Sequence, residues 1–481
     1  MDLKYDMDRI AEYLAERYSP WGWMGQRAHD AAGINAFIPL ELIISCDHGR
    51  EVPLFFDEKK VFSLEKLDNR RRNWSNEHLK SGFTGAGTFN ILEKVGSLPA
   101  GINLLCYRSI KSLEKFALSE KSLRLFAPPE SLKRKLDNKV LFYDSLEAIG
   151  LEKIPGWTGR PDRYSFDQLA GELGKPFVVQ YPYGSNGEHT FIVEEPSGLE
   201  NARRSCPGQK AVIRQYVDGF SLNVNAVIVT LSGSPEVVVS YPSVQITGAG
   251  ECSSSRTAYC GNDFAAVKGI DPAYLRLVKE QTVRTGKWMA AAGYRGVFGM
   301  DFMARDGKLY PVEINPRFQN STSLYIAMRT GEGGPDILLL NIAEFLGAGD
   351  KYLSGFVENF RAEKAMRPLE GAQLVLHNKR SRTVVAGDLR PGIYRNGHFV
   401  KGASLVTEIA EEGAMLVTCG VPAAFTTVEP GAPICKIQSR GTLLGSGATK
   451  LNEQAEKAVS AVYSELLLRG EDRIEKVGVR K

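Results

Sequence analysis

Carboxylates set inside apolar strands cost free energy unless a cation or hydrogen-bond donors meet them. One segment of this 481-residue chain carries several polar groups of that kind: Gly296-Val-Phe-Gly-Met-Asp301-Phe-Met-Ala-Arg-Asp-Gly-Lys-Leu-Tyr-Pro-Val-Glu313-Ile-Asn315-Pro-Arg317. The pattern predicts a hairpin over Gly296 to Asn315, turned at Arg305-Asp306-Gly307-Lys308. Glu313 and Asn315 are two apart and project from one face of a strand. With a two-residue loop, Asp301 falls on the opposite face; a three-residue loop with a glycine bulge brings it to the same face. We expect the three-residue loop, because a metal site needs convergence. Two carboxylates and an amide oxygen, completed by phosphate oxygens and water, form a hard oxygen shell suited to Mg²⁺. Arg317 would then face a phosphate or a transferring phosphoryl group. A plainer alternative makes Asp301 a structural acid paired with Arg317, and Asn315-Pro316 a turn.

Two further stretches have chemical potential. Pro182-Tyr-Gly184-Ser185-Asn186-Gly187-Glu-His-Thr190 lies between two apolar strands, and its glycines let backbone N–H groups approach a phosphate closely. An ordinary flexible turn would have the same composition. Val212-Ile-Arg-Gln-Tyr-Val217 is an apolar strand whose edge offers N–H and C=O groups to a base, or simply to a neighbouring strand.

The elements that must position these residues follow from pattern. Apolar strand-like runs (Phe37 to Ser45, Ile102 to Tyr107) mixed with helical stretches predict a small α/β unit over residues 1–137. Residues 138–367 begin with a helix, Lys139 to Ile149, stopped by Gly150. Strands follow at Pro176 to Tyr181, His189 to Glu194, Ala211 to Val217 and Leu222 to Leu231, then a long helix, Pro272 to Ala292. Residues 368–481 read as strands (Ala372 to His377, Ala414 to Cys419) and a closing helix, Asn452 to Leu468. No chemical motif stands out there, and a structural or substrate-closing role is expected.

Composition sets limits. A net charge of +4 does not suggest a nucleic-acid protein, and Arg70-Arg71-Arg72 reads as solvated surface. No window approaches ~18 uninterrupted apolar residues, so no membrane span is expected. The seven scattered cysteines suit reduced thiols in a cytoplasmic protein, and six dispersed histidines offer no zinc spacing.

Taken in order, these features resemble the ATP-grasp superfamily: an opening lysine, strand–glycine loop–strand, a hinge strand, then a hairpin ending Val312-Glu313-Ile314-Asn315-Pro316-Arg317-Phe318. The resemblance is to its biotin-carboxylase-like branch, which includes carboxylate–amine ligases. It implies an α/β ATP-grasp fold with an N-terminal Rossmann-like domain and a C-terminal β-rich extension. It also implies ATP and Mg²⁺, with Lys139 near the phosphates, Gly184 to Thr190 as lid, Gln215 and Val217 at the adenine, Asp301, Glu313 and Asn315 on the metal, and Arg317 at the phosphoryl acceptor. Gln180 stands where the family usually has a lysine, and Arg214 where it usually has a glutamate; Arg256 or Lys268 is expected to supply the missing charge. The activity implied is ADP-forming ligation of a carboxylate to an amine, both small molecules, with a homodimer possible. Alternatives are a biotin-carboxylase-type reaction and a non-catalytic ATP-binding regulator.

Overall fold

The computed structural model describes residues 7–71, 101–119, 123–184, 187–332, 334, 336–347, 351–360 and 362–470. Ser185, Asn186 and Arg72 lie outside the described residues.

Near-continuous apolar runs, such as Leu42-Ile-Ile in one strand and Leu104-Leu in another, suit strands buried on both faces. They form a five-stranded parallel sheet of β1 (Trp21–Arg27), β2 (Leu40–Asp47), β3 (Val61–Ser63), β4 (Ile102–Cys106) and β5 (Leu123–Phe126), in the order β3-β2-β1-β4-β5. One face packs Trp21, Trp23 and Ile43 into the main core, and the other packs Met24, Leu42, Ile44 and Leu104 into a second one.

Helix α1 (Glu130–Leu136) leads to α2 (Lys139–Ile149). Asn138 caps α2, its Oδ1 accepting from the N–H groups of Val140 and Leu141 at 3.0 Å each. Gly150 ends it in the left-handed region, φ 76°. Strands β6 (Gly156–Gly159), β7 (Phe177–Gln180), β8 (Thr190–Val193) and β9 (Ala211–Gln215) then form an antiparallel sheet in the order β6-β9-β7-β8. Helices α3 (Phe166–Leu173) and α4 (Pro196–Ser205) seal one face of it through Leu169, Leu173, Leu199 and Ala202.

Most of the remaining strands build a large antiparallel sheet. Its members are β10 (Phe220–Leu231), β11 (Ser234–Val239), β12 (Ser243–Thr247), β13 (Tyr259–Asp263), β14 (Gly296–Arg305), β15 (Lys308–Asn315), β16 (Ala372–His377), β17 (Gly392–Arg395), β18 (His398–Lys401), β19 (Met415–Thr418) and β20 (Pro433–Ser439). The order is β15-β14-β10-β12-β13-β16-β20-β19-β17-β18, with β11 beside β10. Helix α5 (Pro272–Ala291), with proline in its first turn, packs behind it, and α6 (Asn320–Gly331) follows the hairpin. The closing helix α7 (Glu453–Leu466) has Asn452 as its cap.

Two expectations need correction. The hairpin loop has two residues: Arg305 pairs with Lys308, and Asp306 and Gly307 adopt φ 49° and 76°, as a type I′ turn requires. Convergence comes from a bulge inside the ladder, where Phe302 pairs with Pro311 but Asp301 pairs with Glu313. The extra residue, Val312, restores the shared face that the short turn alone would deny. Arg71 is not solvated surface: it is 1% exposed and ion-paired to Glu65 at 2.5 Å. Among the C-terminal strands, β16 pairs directly with β13 and extends the large sheet, whereas Thr383–Val385, Thr427–Val428 and Leu468–Gly470 join Arg70–Arg71 in a sheet of their own.

The cap on α2 fixes where Lys139 starts the helix. Asn138→Ala is expected to cost about 1 kcal/mol, read as a lower urea midpoint at unchanged slope; an unmoved midpoint would assign the helix start to the Lys139 N–H···Pro182 O bond instead.

Candidate active site

Cross-strand register lines polar side chains up on one face of the large sheet. Ser243, Asn223, Asp301 and Glu313 are successive partners across β12, β10, β14 and β15. The next row is Asn225, Gly299 and Asn315. Gly299 carries no side chain for a reason: a Cβ there would lie 1.8 Å from the Gln319 amide nitrogen. Gln319, just past the hairpin, fills that space. Its Nε2 donates to Val224 O at 2.9 Å, and its Oε1 accepts from Asn223 at 2.8 Å and from Asn315 at 3.2 Å. Buried amides thus bond one another and hold the acids above them.

Asp301 and Glu313 face each other. Asn223 Nδ2 donates to Asp301 Oδ1 at 2.5 Å, and Asn315 Nδ2 donates to both acids, at 3.3 Å to Asp301 and 3.4 Å to Glu313. Lys139, at the start of α2, reaches Glu313 at 3.3 Å and donates to Gly184 O at 2.9 Å. Burial and the neighbouring Glu313 push the Asp301 carboxyl up to about 8. For Glu313 burial acts upward as well, but Lys139 and the bond shared with Asp301 carry it below the usual carboxylate range. Asn315 Oδ1 accepts from Arg317 Nη2 at 2.7 Å, and Arg317 Nη1 donates to Phe318 O at 3.0 Å and to the Tyr107 hydroxyl at 3.3 Å. Burial alone would favour the neutral guanidine, yet Tyr107, Asp137 and both acids hold the Arg317 guanidinium above its ordinary range.

A cleft of about 360 Å³ lies between this platform and the four-stranded sheet. Lys139, Gln180, Gly184, Gly187, Thr190, Gln215, Val217, Asp301, Glu313, Asn315 and Arg317 all line it. Gly187 is held against the facing loop, its carbonyl accepting from Thr257 Oγ1 at 3.3 Å. Its φ of +83° and a Cβ position 1.9 Å from Thr257 O leave room only for glycine. The Gln215 N–H is already bonded to Pro155 O at 2.9 Å. Of the two expected substitute cations, Arg256 lines the cleft and pairs with Glu194 at 2.8 Å, whereas Lys268 pairs with Glu370 outside it.

Sequence reasoning missed the amide platform and the C-terminal contribution. Leu444, Ala448 and Thr449 line the same cleft. Polar residues two apart in the apolar run of β10, Ser221, Asn223 and Asn225, were the available signal. Among the described residues no group of three or more His, Cys, Asp or Glu clusters as a metal site. No helix there is long and apolar enough to cross a membrane, and all seven cysteines are buried free thiols.

The shared proton has a consequence for stability. In the unfolded chain an aspartate titrates near ~3.9, so the folded state holds the Asp301 proton more tightly and this contribution is lost as pH rises towards about 8. In EDTA, the unfolding free energy of the wild type should fall relative to Asp301→Asn by up to ~1.4 kcal/mol per pH unit between pH 5 and about 8. Parallel pH profiles for the two proteins would contradict the assigned pairing.

Comparison with known proteins is consistent with this geometry. Residues 136–321 match the family described as ATP-grasp domain. The carbamoyl phosphate synthase arginine-specific large chain of Halalkalibacterium halodurans is 21% identical over 209 residues, covering 43% of this chain and 19% of that protein. The C-terminal section of the Aquifex aeolicus carbamoyl phosphate synthase large chain is 26% identical over 196 residues, covering 39% and 34%. The match thus spans about a fifth to a third of these relatives' length. Among solved structures, the biotin carboxylase domain of the Hydrogenobacter thermophilus 2-oxoglutarate carboxylase, in complex with MgADP, ADP and bicarbonate, superposes with a TM-score of 0.55 at 14% identity, covering 88% of this chain and 86% of that one. Phosphoribosylamine–glycine ligase from Thermotoga maritima gives 0.54 at 12% identity, covering 94% and 98%. Residues 136–321 thus resemble an ATP-grasp domain, and the chain shares the overall fold of these structures, with a parallel sheet before that segment and β-rich strands after it.

Proposed function

We propose that this chain is an ADP-forming ligase that activates a carboxylate with Mg-ATP and joins it to an amine. The observation that carries the reading is convergence: a lysine from α2, two facing acids from β14 and β15, an asparagine from β15 and an arginine just after it meet in one cleft under a glycine loop.

The residues fit a divalent cation. Asp301 and Glu313 are hard oxygen donors that cannot both ionise cheaply while they face each other, and a dication removes that conflict. Asn315 turns its nitrogen to the acids and its oxygen to Arg317; a half-turn of the amide exchanges those roles and completes an oxygen set. Asp301, Glu313 and Asn315 would hold Mg²⁺, which when bound supplies the positive charge that a phosphoryl transfer needs. Lys139, tethered to Gly184 and Glu313, would hold the phosphates beneath the glycine loop. Gln215 and Val217, at the end of β9, would meet the base through their backbone. Arg317 is fixed by Asn315, Phe318 and Tyr107, while its Nε is buried without a hydrogen-bond partner. That leaves Nε and one Nη2 N–H to face the carboxylate being activated, and then the oxyanion formed when the amine attacks. The Thr257–Gly187 contact would keep water off an acyl phosphate.

Phosphate release across a panel of acid and amine pairs, bicarbonate included, tests the reading. ADP and phosphate should form only when both substrates are present, and Glu313→Gln should lower kcat at least ~100-fold. AMP and pyrophosphate as products would sink it. Turnover needing bicarbonate and biotin would replace it with a carboxylase, the activity named for the Hydrogenobacter thermophilus domain. Tight ATP binding with no turnover on any pair would make the chain a regulator.

A further inference from the structure

Four arginines among the described residues are almost wholly buried: Arg27, Arg71, Arg214 and Arg329. Arg27 has Asp47, Arg71 has Glu65 and Arg329 has Glu332 as carboxylate partners within 4 Å. For Arg214 no carboxylate of a described residue comes that close. A buried charge without a counter-ion is costly, and burial lowers the Arg214 guanidinium to about 10, which still leaves it charged at neutral pH.

Its surroundings show what it is built to meet. Arg214 lies at the end of β9 and lines the cleft. Its Nη2 donates to Gln180 Oε1 at 3.0 Å. Gln180 is itself fixed by donating from Nε2 to Thr190 Oγ1 at 3.3 Å. In the ladder Gln180 is opposite Val212, so Arg214 is its diagonal neighbour on the same face. The chain Thr190–Gln180–Arg214 thus aims a guanidinium into the cleft from beneath the glycine loop. It also accounts for an amide at position 180, since a cation there would stand against Arg214. Along the cleft Arg214 sits between Gln215–Val217 on one side and the field of Glu313 on the other.

We infer that Arg214, oriented by Gln180, is the cation that takes the non-transferred phosphates of a nucleoside polyphosphate, a role for which neither residue has the side chain that the family pattern leads one to expect. The inference rests on the Mg-ATP reading above. Gln180 is a positioning residue: it supplies no charge and acts through the arginine.

Calorimetric titration of the full-length protein with Mg-ATP, Mg-ADP and adenosine tests the pair. Gln180→Glu keeps size and shape but gives Arg214 the carboxylate it lacks. It should hold or raise the thermal midpoint and weaken Mg-ATP and Mg-ADP at least tenfold, leaving adenosine unchanged. Arg214→Gln should weaken the same two nucleotides similarly. The double variant Gln180→Lys with Arg214→Gln, which moves the charge across the ladder, should recover most of the loss. Unchanged nucleotide affinity in folded Gln180→Glu or Arg214→Gln overturns the inference. So does equal weakening of adenosine, which would point to a general distortion. If Arg214→Gln does not fold, Gln180→Glu decides alone. A wild type that binds none of the nucleotides would instead remove the Mg-ATP reading itself, and this inference with it.

Discussion

Asp301 and Glu313 face each other across one hairpin, and the arrangement of the cleft follows from holding two acids that close. A regular ladder behind a two-residue turn would send them to opposite faces. Val312, inserted as a bulge, turns Glu313 back towards Asp301. Once both acids share a face, their surroundings must bring donors, and they do: amides from Asn223 and Asn315 below, and an ammonium from Lys139 at the side. Gly299 and Gln319 belong to the same solution, since only an absent side chain in β14 lets the Gln319 amide slide between Asn223 and Asn315.

The donors are incomplete in a way that matters. Amides stabilise a carboxylate but do not neutralise it, and the single lysine serves Glu313 more than Asp301. The Asp301 proton is what remains to balance the site, and burial beside Glu313 holds it above the usual carboxylate range. A structural acid would be expected to have that shortfall filled by a basic side chain, as Glu65 has Arg71. Here the nearest arginine, Arg317, is instead committed to Asn315, Phe318 and Tyr107. That separation favours a site for an added cation over a buried ion pair, the alternative that residue spacing left open.

How much of this could be read from the chain depended on range. Local signals were clear: Asn138 and Gly150 at the ends of α2, proline opening α5, and the Asp306-Gly307 turn between two strands. The E-x-N-x-R ending of the hairpin carried the acids and Arg317. What escaped was set by register across chain-distant strands. No pattern within 296–315 announces a bulge at Val312, because an apolar residue fits either face there. The pairing of Asn223 with Asp301 joins positions 78 apart, and that of β16 with β13 joins C-terminal strands to the large sheet. Arg71 misled for a related reason: its partner is local, but its burial comes from Gly420 and Ile434, to whose carbonyls it also donates.

Continuity of the large sheet also decides which part of the cleft can move. The polar row runs on from Gln245 through Asn262 to Gln373, so the acid platform and the C-terminal strands share one hydrogen-bonded ladder. Opening the cleft at that side would break a sheet. The four-stranded sheet has its own closed core and no ladder to the platform. Val212 of β9 also packs into the main core, and side-chain contacts span the cleft: Lys139 of α2 to Glu313, Thr257 to Gly187 and the exposed pair Arg256–Glu194. Such contacts are each worth little when exposed and can re-form around a ligand. The small sheet is thus held to the platform by side chains, while the strands that carry the acids are held by one continuous ladder.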